Sequence, residues 1–142
     1  MTAHPHQATC VAIGDRAVLI EGAPGSGKSS LALALIDRGA VLVGDDGVLL
    51  EARDGRLHAR PHPNTHGLLE VRNLGILPFP VCEEAIVALV LTLDPQAPRF
   101  VEGPASTERA GIALPWLRLS PDGTVLPLKA ERALTYYGLS QG

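Results

Sequence analysis

An α/β domain with a mixed β-sheet, built around a P-loop, is the fold this sequence predicts, and three observations predict it. A glycine-rich stretch, Gly22 to Ser29, stands between a strand-like segment and a helical one. The continuously apolar run Ala85 to Leu93 has the character of a strand covered on both faces. Other strand-like segments are joined by Gly/Asp turns short enough for hairpins, so parallel and antiparallel neighbours share one sheet. At 142 residues the chain has ordinary single-domain size, and residues 1–142 are expected to form one domain with one sizeable core.

Taken in order, Thr9 to Ile13 and Ala17 to Glu21 flank Gly14-Asp15 and predict a hairpin. Ser29 to Arg38 carries Leu31, Ala32, Leu35 and Ile36 at helical spacing, and Gly39 supplies the left-handed residue that ends such a helix. Ala40 to Val43 reads as a strand closing at Asp45-Asp46, and Val48 to Glu51 with Arg56 to Ala59 flank the turn Asp54-Gly55. Arg60 to Pro80 is rich in Pro, His, Asn and Gly and predicts a loop that carries function, centred on His66 to Arg72. Ala85 to Leu93 is the expected central strand. Gln96 to Ser106 predicts a mobile loop. Ile112 to Leu119 and Thr124 to Leu128 predict strands around Pro121-Asp122-Gly123, and Lys129 to Tyr137 a closing helix.

The bulk numbers exclude some classes of function. Fifteen acidic residues against twelve basic ones give a net charge of −3, which argues against a non-specific nucleic-acid binder. No apolar run approaches the roughly twenty residues of a membrane span, and Met1 to Gln7 lacks signal-peptide architecture, so a soluble cytoplasmic protein is expected, with no membrane or nucleic-acid partner. Cys10 and Cys82 have no metal-ligand spacing and read as buried free thiols. His58, His62 and His66 recur every four residues, but Pro61 and Pro63 forbid the helix that would gather them around a metal.

Gly22-Ala23-Pro24-Gly25-Ser26-Gly27-Lys28-Ser29 fits G-x-x-x-x-G-K-[ST] at every fixed position, between a strand and a helix as the mechanism requires. Its glycines let successive backbone N–H groups converge on phosphate, and the helix N-terminus at Lys28, Ser29 and Ser30 adds partial positive charge. Lys28 would reach the β- and γ-phosphates of a purine nucleoside triphosphate, and the Ser29 hydroxyl would bind Mg²⁺. No Asn-Lys-x-Asp is present to read guanine, and the length excludes large motors. For the acid on the Mg²⁺ side two places compete: Asp94, which closes the apolar strand, and the pair Asp45-Asp46. Neighbouring side chains on extended backbone face opposite ways, so one of that pair can face the phosphates while the other is held by the scaffold or joins the metal shell. A carboxylate there could accept the proton of an attacking hydroxyl.

At these residues the sequence resembles the HPr kinase/phosphorylases, bacterial enzymes that phosphorylate a serine of the phosphocarrier protein HPr. Three pieces carry the likeness: Gly22-x-x-Gly25-x-Gly27-Lys28-Ser29, Arg38-Gly39-x-x-Leu42-Val43-x-Asp45-Asp46, and Leu68-Leu69-Glu70-Val71-Arg72-x-Leu74-Gly75-Ile76. It covers roughly Thr9 to Leu93. The resemblance implies a phosphoenolpyruvate-carboxykinase-like catalytic domain of a short form, without the N-terminal domain of longer members, using ATP and Mg²⁺, with HPr as partner and a homo-oligomer expected. By motif, Asp46 would be the general base, Glu70 would join Ser29 and Asp45 around Mg²⁺, and Arg72 would face phosphate. Arg99 in Pro98-Arg99-Phe100 is the match for a transfer-assisting arginine, with Arg109 as its competitor. Two departures stand out. Gln7 occupies the place of a usual histidine, with His6 one residue earlier, and Asn73 replaces a usual glycine. The resulting expectation is a protein-serine kinase, to which the resemblance adds the reverse phosphorolysis; a nucleotide-dependent switch without transfer and a small-molecule kinase are the alternatives.

Overall fold

A computed structural model of the chain describes residues 2–140, in which eleven strands and two helices follow one another. They are β1 (His4–His6), β2 (Thr9–Ile13), β3 (Arg16–Gly22), α1 (Lys28–Asp37), β4 (Val41–Gly44), β5 (Val48–Arg53), β6 (Arg56–Pro61), β7 (Leu68–Val71), β8 (Gly75–Pro78), β9 (Ala85–Leu93), β10 (Ala105–Arg109), β11 (Ile112–Leu119) and α2 (Leu126–Tyr137). Nine strands form one sheet in the order β1-β5-β6-β9-β3-β2-β4, with β11 also on β9 and β10 outside it, while β7 and β8 form a separate hairpin.

β9 is the hinge of this topology, as its uninterrupted apolar sequence predicts. One edge runs parallel to β3, from Arg16↔Ile86 to Gly22↔Leu93. The other edge is shared: β6 pairs with its start through His58↔Ile86 and Ala59↔Ala85, and β11 runs parallel to its end from Trp116↔Val90 to Leu119↔Leu93. The sheet is therefore mixed, and it curls. Its inner face gathers Cys10, Leu19, Val43, Leu50, Leu57, Val87, Val90 and Leu114 from seven strands into one core. On the outer face Val18, Ile20, Leu89 and Leu91 pack against Leu31, Ala32 and Leu35 of α1 and Ala130, Ala133 and Leu134 of α2. Strand alternation sends Ala17 and Leu19 inward and Val18 and Ile20 outward. Burial of this apolar surface on both faces is the main stabilising force, and it fixes where β3 delivers the glycine-rich loop.

Three segments differ from the sequence expectation. Thr124 to Leu128 is not a strand: α2 begins at Leu126 with Pro127 in its first turn, where the absent N–H costs nothing. Its apolar residues split as a helix surface does, with Leu126 buried and Val125 and Leu128 exposed. The loop 60–80 contains the β7–β8 hairpin, in which Leu69 and Val71 face the core and Leu68 and Glu70 face out. The loop 96–106 gives its last residues to β10. Both cysteines are free thiols; Cys10 is buried, which together with the neighbouring Cys82 pushes its thiol pKa up, and Cys82 is half-buried. Among the described residues no helix is long and apolar enough to cross a membrane.

Candidate functional site

The loop after β3 is shaped by backbone angles that side chains resist. Gly22, Gly25 and Gly27 have φ of 154°, 79° and 105°. A Cβ on Gly22 would lie 2.5 Å from Ser26 Oγ and 3.0 Å from the Leu93 carbonyl oxygen, so β9 and the loop close on that position from both sides. Gly27 caps α1 without a side-chain hydrogen bond, and no acidic residue occupies the first turn. The first N–H groups of α1 thus keep their capacity for an anionic ligand. Ser26 Oγ is buried without a hydrogen-bond partner. Lys28 Nζ lies over the loop and donates to the carbonyl oxygens of Gly22 at 3.0 Å and Ala23 at 3.3 Å.

Opposite the loop, the two aspartates after β4 have separate tasks. Asp45 is buried, with 7 % of its surface exposed, and its carboxylate accepts three hydrogen bonds: Ser29 Oγ at 2.6 Å and Thr9 Oγ1 at 3.0 Å on one oxygen, and the Glu70 backbone N–H at 3.0 Å on the other. One side chain thereby ties α1, β2 and β7 together. Asp46 has φ 56°, a left-handed angle that aspartate tolerates better than most residues. Its own N–H donates to Thr9 Oγ1 at 3.3 Å, so a single buried hydroxyl positions both acids. The Asp46 side chain is exposed and receives a long hydrogen bond, 3.5 Å, from Gln7 Nε2. The turn makes the difference: the scaffold holds Asp45 and leaves Asp46 to the solvent side.

These groups line one open cleft of ≈560 Å³, which Pro24, Gly25, Gly27, Lys28, Ser29 and Ser30 enter from the loop, Asp45, Asp46 and Gln7 from the opposite wall, and Glu70 to Gly75 from the β7–β8 hairpin. Asn73, with φ 73°, and Leu74, whose N–H donates to the Val71 carbonyl at 3.0 Å, form the hairpin turn that presents Arg72 there. Asparagine serves in the left-handed position where glycine was expected.

Other sequence candidates lie elsewhere. Asp94 accepts the Gln96 N–H at 2.8 Å and pairs with Arg118 at 3.5 Å, so Asp45 is the acid that meets Ser29. Arg99 is exposed and does not line the cleft. Arg109 is no exposed loop arginine: it belongs to β10 and grips Glu21 with Nε at 2.9 Å and a terminal nitrogen at 2.6 Å. Arg38 of the second motif pairs with Glu131 and so joins α1 to α2. His58 faces Glu84 at 3.4 Å, His62 Nδ1 accepts the Asn64 N–H at 3.2 Å and His66 meets Glu83 at 2.8 Å, three separate environments. Thr9 escaped the sequence reading, because one hydroxyl at the start of an apolar strand carries no pattern of its own.

His6 Nε2 meets the same Glu21 at 2.7 Å. Burial alone would raise the Glu21 carboxyl pKa, but hydrogen bonds and charge from Arg109 and His6 outweigh it and bring it down to about 2.

Comparison with known proteins agrees with this geometry. The profile of the HPr Serine kinase C-terminal domain matches residues 2–82. Similar curated proteins include the HPr kinase/phosphorylase of Clostridium beijerinckii, 52 % identical over 60 residues, which are 42 % of this chain and 20 % of that protein. The HPr kinase/phosphorylase of Clostridium novyi is 40 % identical over 88 residues, 57 % of this chain and 29 % of that protein. The chain thus spans less than a third of the length of these relatives. The solved Hpr(Ser) kinase/phosphatase from Coxiella burnetii superimposes with a TM-score of 0.83 at 27 % identity, over 93 % of this chain and 88 % of that one. With a glycine-rich loop at the start of α1, a serine-bound aspartate and a second aspartate on the opposite wall of the cleft, and a profile that covers more than half its length, the chain belongs to the HPr serine kinase C-terminal domain family.

Proposed function

We propose that this chain is a protein-serine kinase that moves the γ-phosphoryl group of ATP to a serine hydroxyl of HPr. The observation that carries the reading is the division of labour in the Asp45-Asp46 pair. One carboxylate is fixed to the P-loop serine, and the other stands exposed across the same cleft from Lys28.

The residues present fit both groups the reaction needs. The uncapped N-terminus of α1, the glycine amides and the ammonium of Lys28 suit a polyphosphate; a Cβ at Gly22 would meet Ser26 Oγ and the Leu93 carbonyl, so only glycine keeps the path of the loop. Ser29, Asp45 and Glu70 offer the hard oxygen donors that Mg²⁺ takes alongside phosphate and water. When bound, Mg-ATP supplies the phosphoryl group and neutralises part of its charge.

The chain's own groups do the rest. The loop amides and Lys28 would hold the phosphates. Asp46 accepts the proton of an incoming serine hydroxyl at its exposed carboxylate, and in the reverse direction the same atom returns it. Gln7 donates to that carboxylate without taking up or releasing a proton near neutral pH. Arg72, on the hairpin turn, offers paired donors to a phosphate oxygen.

Incubating the chain with Mg-ATP and HPr, then weighing HPr, tests the reading: HPr gains one phosphoryl group on a serine. Bound nucleotide with unmodified HPr would replace a kinase by a nucleotide-dependent switch.

A further inference from the structure

One residue before Gln7, which lines the cleft, His6 joins a cluster that phosphate chemistry does not use. Glu21 is the residue just before the P-loop and projects inward on β3. Its side chain is 14 % exposed and takes a two-pronged grip from Arg109 of β10 and a third bond, 2.7 Å, from His6 of β1. The other terminal nitrogen of Arg109 donates to Thr107 Oγ1 at 2.8 Å and the Glu108 carbonyl at 2.7 Å, which stiffens the grip. The next residue after His6 is Gln7, and Gln7 is the neighbour of the Asp46 carboxylate.

β1 is poorly held by its ladder. It is three residues long, its centre is Pro5, and it pairs with β5 alone, from His4↔Leu50 to His6↔Val48. On the other side of Gln7, Ala8 and Thr9 are buried. The backbone at Gln7 is therefore pinned at one end by β2 and at the other by the His6–Glu21 bond. The Gln7–Asp46 distance of 3.5 Å lies at the outer limit of a hydrogen bond, so a shift of β1 by a few tenths of an ångström decides whether it forms.

We propose that Glu21 is a positioning residue for phosphoryl transfer: by holding His6 against the β10 arginine, it sets the Gln7 amide on the Asp46 carboxylate. The tie between Glu21 and Gln7 stands on its own geometry, while its effect on rate rests on the kinase reading above. Glu21 also abuts Gly22, whose carbonyl receives Lys28, so the same grip links the first loop residue to β1 and β10.

Two variants and two readouts test this. Glu21→Gln weakens both grips, and His6→Ala cuts the tie to β1 while leaving Glu21 with Arg109, so the second variant decides should the first fail to fold. In amide NMR of the whole chain, the side-chain NH₂ signals of Gln7 should shift in both variants. In the HPr assay, kcat should fall about ten- to a hundredfold with the KM for ATP unchanged. Adding His6→Ala to Gln7→Ala should cost nothing further, because both remove the same contact. Unmoved Gln7 signals in folded His6→Ala, or fully multiplicative losses in the double variant, would overturn the proposal. A wild-type chain without transfer activity would count against the kinase reading, and the NMR result would still decide the tie.

Discussion

Asp45→Ala should destabilise the fold as well as weaken nucleotide binding, and the size of that loss follows from the hydrogen bonds around one buried carboxylate. Three donors from three elements converge on it: Ser29 of α1, Thr9 of β2 and the Glu70 N–H of β7. Hydrogen bonds to a charged group contribute about 1.5–3 kcal/mol each, whereas relief of burying the charge and rehydration of Ser29 at the cleft offset part of the loss. A net cost of about 2–4 kcal/mol results, most of it from the Glu70 N–H and the Thr9 hydroxyl, which alanine leaves without an acceptor. Asp45→Asn should cost less, about 1–2 kcal/mol, because one orientation satisfies most partners. With its oxygen on the Glu70 N–H, its NH₂ faces the two hydroxyls, which can rotate to accept. Urea unfolding of the three proteins at neutral pH measures both differences. Alanine within about 0.5 kcal/mol of the wild type, or asparagine as costly as alanine, would refute Asp45 as the tie between these elements.

Two further outcomes follow from the same geometry. The Glu21 carboxyl is lowered from its ordinary 4.5 to about 2 in the folded chain, so the stability it contributes is complete above the ordinary value and is lost as pH falls through about 2. The gap in unfolding free energy between the wild type and Glu21→Gln should therefore narrow as pH falls from 4.5 towards 2; a gap constant across that window would contradict it. Gly22→Ala should weaken ATP binding more than Gly25→Ala in calorimetric titrations. A Cβ at Gly22 meets Ser26 Oγ at 2.5 Å and one at Gly25 meets nothing within 4 Å, although both glycines have positive φ; equal losses would deny the steric argument.

What could be read from the sequence was the part whose signal is local. The β2–β3 hairpin, α1, the Gly22 to Ser29 loop and the apolar β9 each announce themselves within a dozen residues; the two acids of Asp45-Asp46 do separate, but through the left-handed turn at Asp46 rather than by the alternation of an extended strand. The misread segments have competing signals. Thr124 to Leu128 is apolar enough for a strand, yet Pro127 takes a place in the first helical turn, where its missing N–H costs nothing. β7–β8 hides because Leu74 and Ile76, apolar residues in a polar stretch, are exposed at 71 % and 66 %. β1 has the composition of a loop, and only its pairing with β5 makes it a strand. Long-range polar contacts were beyond reach: Thr9 with Asp45, and His6 and Arg109 with Glu21, join residues that no periodicity relates.

The assignment of Asp46 as the proton acceptor is tested most directly by Asp46→Asn, assayed for ATP affinity and for phosphoserine formed on HPr by one preparation of protein. Asparagine keeps the shape of the side chain and removes its basicity. ATP affinity within about twofold of the wild type, with transfer reduced about 10²- to 10⁴-fold, is the predicted result. Phosphoserine formed at the wild-type rate would contradict it.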